Sequence, residues 1–505
     1  MKTHTQRWLL CPILAVTWVW AGCAQAHPPR TPRGLTRGRQ VDAGIRVVDG
    51  RICLTNMASA AHQPPPKRHP RSQKKLQLSK RTSGAHAQTS PLVTSGTSTG
   101  PLPTVPIEDP SGRGLGPFYR ALGELESGRV RRVRMSIWGD SHIAGSVLTG
   151  RLRDRLQKRF GDAGPGFVLL GRPWPTYRQA AARQGAKRRW RAERLWTHYS
   201  RRRRKPRDDL FGIAGISTHT RRRATAWIEP RRGKINGFDL YYLRQPGGGR
   251  VDIRNGDGKL LRRILTLGRT KTPGYARVEV GHGLKRLEFT PGGGEVRLFG
   301  VDTWRHHRGI IVDAFGINGA RIDAQLQWNP RLMRAHLTRL EPQLVVLAYG
   351  SNEVDVTSLN AKTLDAQLDR VLKRMRQTLP HAGCLLIGPP DQARHQAGQP
   401  YFLSDRLDTI IATQRAVARR RGCGFWDQRR AMGGPGSVFT WVTASPPLAR
   451  HDHVHLYGRG YRLLADALFD AILMGYHATT RQRISLPPAH STPTTQVKSS
   501  PQNPQ

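Results

Sequence analysis

The sequence predicts an α/β protein in which a parallel five-stranded sheet is interrupted by an inserted all-β domain of jelly-roll type. Two observations predict this fold class. Short apolar runs alternate with amphipathic helical segments in two separate parts of the chain, which is typical of a buried parallel sheet covered by helices. Between those parts, a two-residue alternation of apolar and polar residues is broken by glycine-rich turns, which is typical of antiparallel strands.

Both ends of the chain differ in composition from the predicted folded part. Lys2 and Arg7, an apolar run and the small-residue site Ala24-Gln25-Ala26 predict a secretory signal peptide and therefore export to the periplasm or outside the cell. The alternative is a lipoprotein anchored at Cys23. The predicted organisation is a signal peptide (1–26), a disordered basic Pro/Ser-rich linker (27–110), a first α/β part (111–171), the β insert (172–308), a second α/β part (309–479) and a disordered tail (480–505).

The first strand is predicted at 134–138, and a helix follows it. An apolar stripe with four-residue spacing marks this helix, and Gly161 ends it; the stripe consists of Leu148, Leu152, Leu156 and Phe160. In the insert, turn signals at 247–249, 255–258 and 292–294 separate the short strands. The remaining strands of the parallel sheet are predicted at 310–314, 344–349, 384–388 and 422–426, with helices such as 361–379 between them.

Ser141 lies between the end of the first predicted strand and the start of the first helix. Its hydroxyl is therefore exposed, and its backbone N–H lies near the positive end of a helix dipole, as an acyl-transfer nucleophile requires. The alternative is a helix N-cap without chemistry. Gly319 and Asn352 follow the next two strands of the sheet, and ligands of such sheets bind at the carboxyl ends of the strands. Each of the two residues, taken alone, is also typical of a plain turn.

The stretch 451–456 contains three histidines and one aspartate just before the last predicted helix. Asp452 and His455 are three residues apart, so the carboxylate can hold one imidazole nitrogen while the other faces outward. A metal site and a solvated histidine-rich loop are the competing interpretations. Diverging side chains and the lack of a second group of ligands argue against the metal.

Taken in order, these four blocks resemble those of SGNH/GDSL-type hydrolases. Asp140-Ser141-His142 and an inserted β domain between the first and second blocks are most similar to the peptidoglycan O-acetylesterases. The resemblance implies a flavodoxin-like SGNH hydrolase fold and an acetylesterase that needs no cofactor and no metal. It makes Ser141 the nucleophile, His455 the general base and acid, and Asp452 the residue that orients His455. The implied oxyanion donors are the N–H groups of Ser141 and Gly319 and the side-chain amide of Asn352.

Three functions remain open at this point. The first is a secreted or periplasmic serine esterase that removes O-acetyl groups from cell-wall glycan. The second is an O-acetyltransferase that acts on envelope polysaccharide through the same acyl-enzyme. The third is an envelope-binding protein without catalysis, against which the joint retention of the four blocks argues.

The formal net charge of +49 predicts an anionic partner. Residues 151–235 alone carry 25 basic and 6 acidic residues, including the run from Arg201 to Lys205. No nucleic-acid recognition motif accompanies this charge, so anionic envelope polymers are the better prediction. The alternative is an arginine-rich composition without a partner. The sequence does not fix the oligomeric state, and no later apolar run is long enough to cross a membrane.

Two of the five cysteines open predicted strands. Cys384 and Cys423 begin the fourth and fifth strands, which are neighbours in the order 2-1-3-4-5. With export, this placement predicts a disulfide between them, and two buried free thiols are the alternative. The spacing of the cysteines does not fit a structural zinc site.

Overall fold

The computed structural model describes residues 44–48, 51–55, 100–175, 177–195 and 206–485. Within the amino-terminal unit, strands β1 (Gly44–Val48) and β2 (Arg51–Thr55) form an antiparallel pair. The predicted signal peptide, most of the predicted linker, the run from Arg201 to Lys205 and the tail after 485 lie outside the described residues. Everything below concerns the second unit.

The second unit begins with the first part of the α/β region. Its elements are α1 (Gly116–Glu126), β3 (Arg132–Gly139), α2 (Ser141–Ala144) and α3 (Val147–Phe160). Val105 is buried and Glu108 pairs with Phe425, so the body makes contacts with residues inside the range predicted as linker.

The prediction of a single helix after Ser141 was wrong, because the structure has two helices there, α2 and α3. Ser146 between them has a left-handed backbone, with φ of 55°, and its hydroxyl accepts a hydrogen bond from the Ala180 N–H at 3.1 Å. This local conformation cannot continue a helix. The apolar stripe of α3 is buried as predicted.

The insert is a sandwich of two antiparallel sheets. Its strands are β4 (Gly166–Val168), β5 (Ala182–Ala186), β6 (Arg191–Arg194), β7 (Ile216–Thr220), β8 (Ala226–Pro230), β9 (Ile235–Arg244), β10 (Arg250–Asn255), β11 (Leu260–Leu265), β12 (Thr272–Leu284), β13 (Leu287–Gly292) and β14 (Val296–Trp304). One sheet has the order β11-β10-β13-β8-β5, and the other has the order β12-β9-β14-β7-β6 with β4 paired to β14. Apolar side chains of both sheets, such as Phe289 and Phe238, form the core between them.

The sandwich starts earlier along the chain than predicted. Strand β4 lies within the range assigned to the first α/β part, yet Val168 pairs with Val301 of the sandwich. Aromatic residues on the outer face of that sheet, Tyr241 and Phe299, share a core with Phe315 of the α/β region. The insert is therefore packed firmly against the α/β region.

The second part of the α/β region completes the parallel sheet. Its elements are β15 (Gly309–Gly316), a 3₁₀-helix (Ile322–Leu326), α4 (Pro330–Leu340), β16 (Leu344–Ala348), α5 (Ala361–Thr378), β17 (Gly383–Ile387), the short pair β18 (Ala393–Arg394) and β19 (Phe402–Leu403), α6 (Asp405–Arg420), β20 (Gly424–Trp426), α7 (Gln428–Met432), α8 (Ser437–Thr443) and α9 (Gly458–Ser485).

The five parallel strands have the order β15-β3-β16-β17-β20, which is the predicted 2-1-3-4-5. Helices cover both faces of the sheet, because two separate apolar cores flank the strands. Register places Gly139, Gly316 and Ala348 side by side at the carboxyl ends of β3, β15 and β16. The polar residues that follow these strands therefore meet at one edge of the sheet.

The predicted disulfide is confirmed. Cys384 and Cys423 form a disulfide with Cα atoms 4.9 Å apart. It joins the start of β17 to the residue before β20, so it links two neighbouring strands of the parallel sheet.

Candidate active site

The turn between β3 and α2 holds Ser141 in place through close backbone packing. The Asp140 carboxylate accepts a hydrogen bond from the His142 N–H at 2.9 Å. A Cβ atom at Gly316 would lie 2.0 Å from the Ala144 backbone nitrogen, and one at Gly139 would lie 2.6 Å from the Ala348 carbonyl oxygen. Glycine at both positions thus allows α2 to start directly on the sheet edge.

Three of the predicted residues form a hydrogen-bonded chain. Ser141 Oγ lies 3.0 Å from His455 Nε2, and His455 Nδ1 lies 2.8 Å from Asp452 Oδ2. The other oxygen of Asp452 accepts hydrogen bonds from the backbone N–H groups of Val454 and His455 at 3.0 and 2.9 Å. The carboxylate is therefore held by its own loop while it holds the imidazole.

Partial burial acts to raise the pKa of Asp452. The hydrogen bonds from the His455 N–H, the His455 side chain and the Val454 N–H outweigh that effect, so the pKa lies below its ordinary value. Asp452 is therefore ionised at neutral pH. A chain of hydroxyl, imidazole and carboxylate with these distances can move a proton from the hydroxyl to the imidazole and stabilise the imidazolium.

The structure also brings the second and third blocks to the same edge. The Ile317 N–H donates to the Gly139 carbonyl at 3.0 Å, and Asn352 Nδ2 donates to the Ala320 carbonyl at 2.9 Å. That bond fixes the carboxamide and uses one of its two N–H groups. Gly319 has a φ of 74°, and neither its N–H nor that of Ser141 has a hydrogen-bond partner in the described part of the chain. These groups are donors without a partner beside the Ser141 turn.

Comparisons with known proteins agree with this geometry. The model of the GDSL-like lipase/acylhydrolase family matches residues 292–463, a range that contains Gly319, Asn352, Asp452 and His455. A solved peptidoglycan O-acetylesterase is similar at 26% identity and a TM-score of 0.61, over 72% of this chain and 96% of that chain. The chain is a carboxylic ester hydrolase that is similar to the GDSL-type acylhydrolases.

Two further solved structures share less with the chain. A family two carbohydrate esterase from Clostridium thermocellum has 11% identity and a TM-score of 0.25, over 52% of this chain and 95% of that chain. An acetyl xylan esterase has 18% identity and a TM-score of 0.26, over 32% of this chain and 81% of that chain. No match was found among curated proteins.

His142 of this hydrolase lies next to the site, although the sequence did not predict it as a site residue. Its ring is buried, its Nδ1 lies 3.0 Å from the Tyr461 hydroxyl, and its centroid lies 5.6 Å from that of His455. Burial, together with the nearby His455, lowers the pKa of His142 to about 3, so the imidazole is neutral. The only sequence signal was its position next to Ser141, which does not reveal that it is buried.

Two buried carboxyl groups lie beneath the site of the hydrolase. Burial raises the pKa of Asp140 to about 7 and that of Glu353 to about 8, although backbone N–H groups oppose the shift. Glu353 accepts a hydrogen bond from the Ile322 N–H at 2.8 Å. Neither carboxylate has an ion-pair partner among the described residues.

The β18–β19 ribbon forms one wall of the site. Ala393 N–H donates to the His453 carbonyl at 3.0 Å, and Arg394 donates to the Ser351 carbonyl at 3.0 Å. The Tyr401 ring stacks on His453 with centroids 3.8 Å apart, while Phe402 is 45% exposed. The ribbon thus touches both the His455 loop and the Asn352 loop, and sequence reasoning missed it because its strands have only two residues each.

The histidines of the histidine-rich loop hydrogen-bond to other groups of the same chain. His453 directs its Nδ1 to the His451 carbonyl at 2.9 Å, and His455 is held between Asp452 and Ser141. Within the described ranges, no three His, Cys, Asp or Glu side chains come together as metal ligands. None of the helices in those ranges combines the length and the apolar composition that spanning a bilayer requires.

Proposed function

We propose that this ester hydrolase is an exported peptidoglycan O-acetylesterase, which removes acetyl groups from the sugars of cell-wall glycan. The observation that carries the proposal is the likeness to a peptidoglycan O-acetylesterase over 72% of this chain and 96% of that protein. The share of this chain is larger than the α/β region alone, so it includes the β insert. The hydrogen-bonded chain from Ser141 through His455 to Asp452 supplies the chemistry.

In the proposed first step, Ser141 Oγ attacks the acetyl carbonyl carbon while His455 Nε2 takes the hydroxyl proton. The negative charge on the carbonyl oxygen is stabilised by the N–H groups of Ser141 and Gly319 and by the free N–H of Asn352. The bond between the carbonyl carbon and the sugar oxygen then breaks, and His455 gives its proton to that oxygen.

In the second step, water attacks the acetyl group on Ser141. His455 takes a proton from the water, the bond to Ser141 Oγ breaks, and the proton returns to Ser141 as acetate leaves. The side chains of His455 and Asp452 are 38% and 47% exposed, so water reaches the site readily. This exposure favours hydrolysis over transfer of the acetyl group to a sugar.

The aromatic ribbon beside the site supports a glycan substrate. Phe402 has an exposed ring and pairs across the ribbon with Arg394, which bonds to the loop of Asn352. Tyr401 lies against the loop of His455. The C–H face of a sugar ring packs on such aromatic surfaces. We therefore place the sugar that carries the ester along the ribbon.

Two features support export. The disulfide between Cys384 and Cys423 is typical of proteins in an oxidising compartment. Residues 1–26 have the composition of a signal peptide, which we propose is removed, with lipidation at Cys23 as the alternative. The net charge of +49 would then hold the enzyme on anionic polymers of the envelope.

Acetate release tests the proposal. The mature protein is given O-acetylated peptidoglycan, acetylated xylan and a small aryl acetate, and acetate is measured over time. We expect the highest kcat/KM on peptidoglycan and no release by Ser141→Ala. Equal or better turnover of xylan would refute the peptidoglycan assignment, and transfer of the acetyl group to an added sugar with little free acetate would identify a transferase.

A binding measurement tests whether the β18–β19 ribbon contacts the glycan. The inactive Ser141→Ala protein is bound to O-acetylated sacculi, with and without Phe402→Ala. We expect roughly fivefold weaker binding, because an aromatic contact contributes about 1 kcal/mol. The matched control is Leu265→Ala, which removes an apolar residue that is 66% exposed on the insert. Unchanged binding by Phe402→Ala would remove the ribbon from the glycan site.

A further inference from the structure

The chain that leaves β17 crosses the carboxyl edge of the sheet as a buried linking segment (388–394), which ends in β18. Its residues from Gly388 to Ala393 are buried. A buried loop is uncommon, because its backbone N–H groups need partners inside the protein. The Gly388 N–H donates to the Trp426 carbonyl at 3.0 Å, and the Ala393 N–H donates to the His453 carbonyl at 3.0 Å. The linking segment is therefore fixed near both of its ends.

A buried ion pair anchors the middle of the linking segment. Asp391 is fully buried, and its carboxylate accepts a hydrogen bond from Arg429 Nε of α7 at 2.8 Å. The same carboxylate accepts one from the Val438 N–H of α8 at 2.9 Å. Arg429 also bonds to Asp408 of α6. Because breaking such a pair leaves an uncompensated buried charge, these contacts hold the linking segment firmly against three helices.

Two side chains of the linking segment donate to one carbonyl group next to Asn352. Gln392 Nε2 donates to the Ser351 carbonyl at 3.2 Å, and Arg394 Nη2 donates to the same oxygen at 3.0 Å. Gln392 is 1% exposed, and Arg394 also pairs with Asp355 at 3.1 Å. A carbonyl oxygen has two lone pairs, so the two donors use its full capacity.

Van der Waals contact fixes the residue on the other side of Ser351. A Cβ atom at Gly350 would lie 2.8 Å from both the Cδ and the Cγ atoms of Pro389. The Gly350 φ of 131° also favours glycine. The linking segment therefore holds the two residues directly before Asn352, one through packing and one through hydrogen bonds.

We propose that Gln392 and Arg394 are positioning residues, which set the amide of Asn352 relative to His455. The linking segment bonds to the residue before Asn352 and, through Ala393, to the histidine-rich loop, so one rigid element fixes both loops. The oxyanion donor and the base must act on the same ester, and a displacement of about 1 Å can lower the rate about 10²-fold. The inference rests on the proposed oxyanion role of Asn352.

A double-mutant cycle on the full-length protein tests this role, with kcat and KM measured on a small aryl acetate. Gln392→Met keeps the volume and removes the donor. Alone, it should lower kcat about tenfold and leave KM within about twofold, because the oxyanion donor is displaced while ground-state contacts remain. In the Asn352→Ala background it should lower kcat less than about twofold, because the amide that it positions is already gone.

The matched control is Gln157→Met. The Gln157 amide also donates to main-chain carbonyls, those of Gly164 and Ile310, at 3.1 Å each. Ile310 lies at the amino end of β15, at the opposite edge of the sheet from Asn352. This variant should lower the melting temperature and leave the kcat of the folded protein unchanged.

Arg394 provides a second pair of variants at a position that is 19% exposed. Arg394→Met should lower kcat about fivefold or more with little change in KM, and Arg394→Lys, which keeps a donor, should recover most of that loss. Recovery by lysine separates positioning from a loss of packing. The pair replaces Gln392→Met if that variant does not fold, as judged by its melting transition.

An unchanged kcat in the folded Gln392→Met and Arg394→Met variants would overturn the inference. A full tenfold loss from Gln392→Met in the Asn352→Ala background would also overturn it, because Gln392 would then act independently of Asn352. Failure of the proposed function gives a different result. Asn352→Ala alone would then leave kcat unchanged, which would refute the oxyanion role and the inference with it.

Discussion

The two ends of strand β3 bury charged groups in opposite ways. At the amino end, Arg134 makes paired hydrogen bonds to Asp302 of the insert and to Asp313 of β15, at 2.7–3.1 Å. At the carboxyl end, Asp140 is buried without a cation. The same strand therefore has a fully paired ion cluster at one end and an unpaired carboxyl group at the other.

The two ends of β3 therefore serve different purposes: the amino end stabilises the fold, and the carboxyl end provides groups for chemistry. The cluster at the amino end joins the insert to the parallel sheet and leaves no reactive group exposed, because the Ser136 hydroxyl and the Phe167 N–H also bond to Asp313. The carboxyl end keeps donors and acceptors without protein partners, which is the condition for binding a substrate or water. Substitutions at the amino end should consequently change the unfolding free energy, and substitutions at the carboxyl end should change kcat.

The largest effect is expected from Ser141→Ala at the carboxyl end. Loss of the nucleophile should lower kcat on an aryl acetate by about 10⁴-fold or more, while the melting temperature stays the same, because the small side chain contributes little packing. The rate is measured with the substrate in excess and the melting temperature by circular dichroism. A residual rate within about tenfold of wild type would show that Ser141 is not the nucleophile.

The opposite pattern is expected from Arg134→Met at the amino end. Removal of the guanidinium leaves Asp302 and Asp313 buried without a cation, which should cost about 3–5 kcal/mol of unfolding free energy in denaturant titrations. The folded fraction should keep its specific activity. The matched control is Arg420→Met, whose exposed pair with Asp365 is worth about 0–1 kcal/mol. A strong loss of kcat in folded Arg134→Met would show that the amino end also contributes to the chemistry.

Asn352→Ala should produce an intermediate effect on chemistry alone. Loss of one oxyanion donor typically lowers kcat about 10²- to 10³-fold with a small change in KM. Steady-state kinetics on the aryl acetate measure both constants. A change confined to KM would mean that Asn352 binds the ground state and does not stabilise the oxyanion.

The smallest effect is a change in the pH dependence of stability. Because the pKa of Glu353 is raised from 4.5 to about 8, its contribution to stability is complete below about pH 4.5 and is lost as the pH rises towards 8. Glu353→Gln remains neutral, so its melting temperature should exceed that of wild type by about 2 °C or more at pH 8 and match it near pH 4.5.

The matched control for Glu353 is a carboxylate with the opposite shift. The pKa of Glu295 in the insert is lowered, because its ion pairs with Arg207 and Arg221 outweigh its burial. Glu295→Gln should therefore lower the melting temperature at pH 8 and have little effect in acid. Identical pH profiles of Glu353→Gln and wild type would show that the buried carboxyl is ionised in the folded protein.

The sequence allowed the parallel sheet, its strand order, the disulfide and the residues at its carboxyl edge to be predicted. These features follow from apolar runs and from the rule that polar residues after parallel strands meet at one edge. That Ser141, His455 and Asp452 lie within hydrogen-bonding distance agrees with the prediction, while their roles stay a prediction until measured.

Features that depend on tertiary contacts could not be predicted from the sequence. The break after α2 depends on Ser146 bonding to Ala180, and the place of β4 depends on its pairing with β14. The orders of the two insert sheets depend on pairings between strands that are far apart in the chain, such as β7 with β14 and β8 with β13. His142 and Tyr461 come together only after folding, so no spacing could link them.

The separation of Ser141 from His455 by 314 residues has a consequence for biosynthesis. A chain that emerges from the ribosome presents the hydroxyl first, then the whole insert, and the imidazole only 314 residues after the hydroxyl. Strand β3 must wait for β15 before it can pair, so early folding is limited to local helices and to the sandwich, whose strands lie close together in sequence. On the proposed roles of Ser141 and His455, the reactive centre is complete only after residue 455 has been made, and we expect a product truncated before residue 455 not to cleave esters.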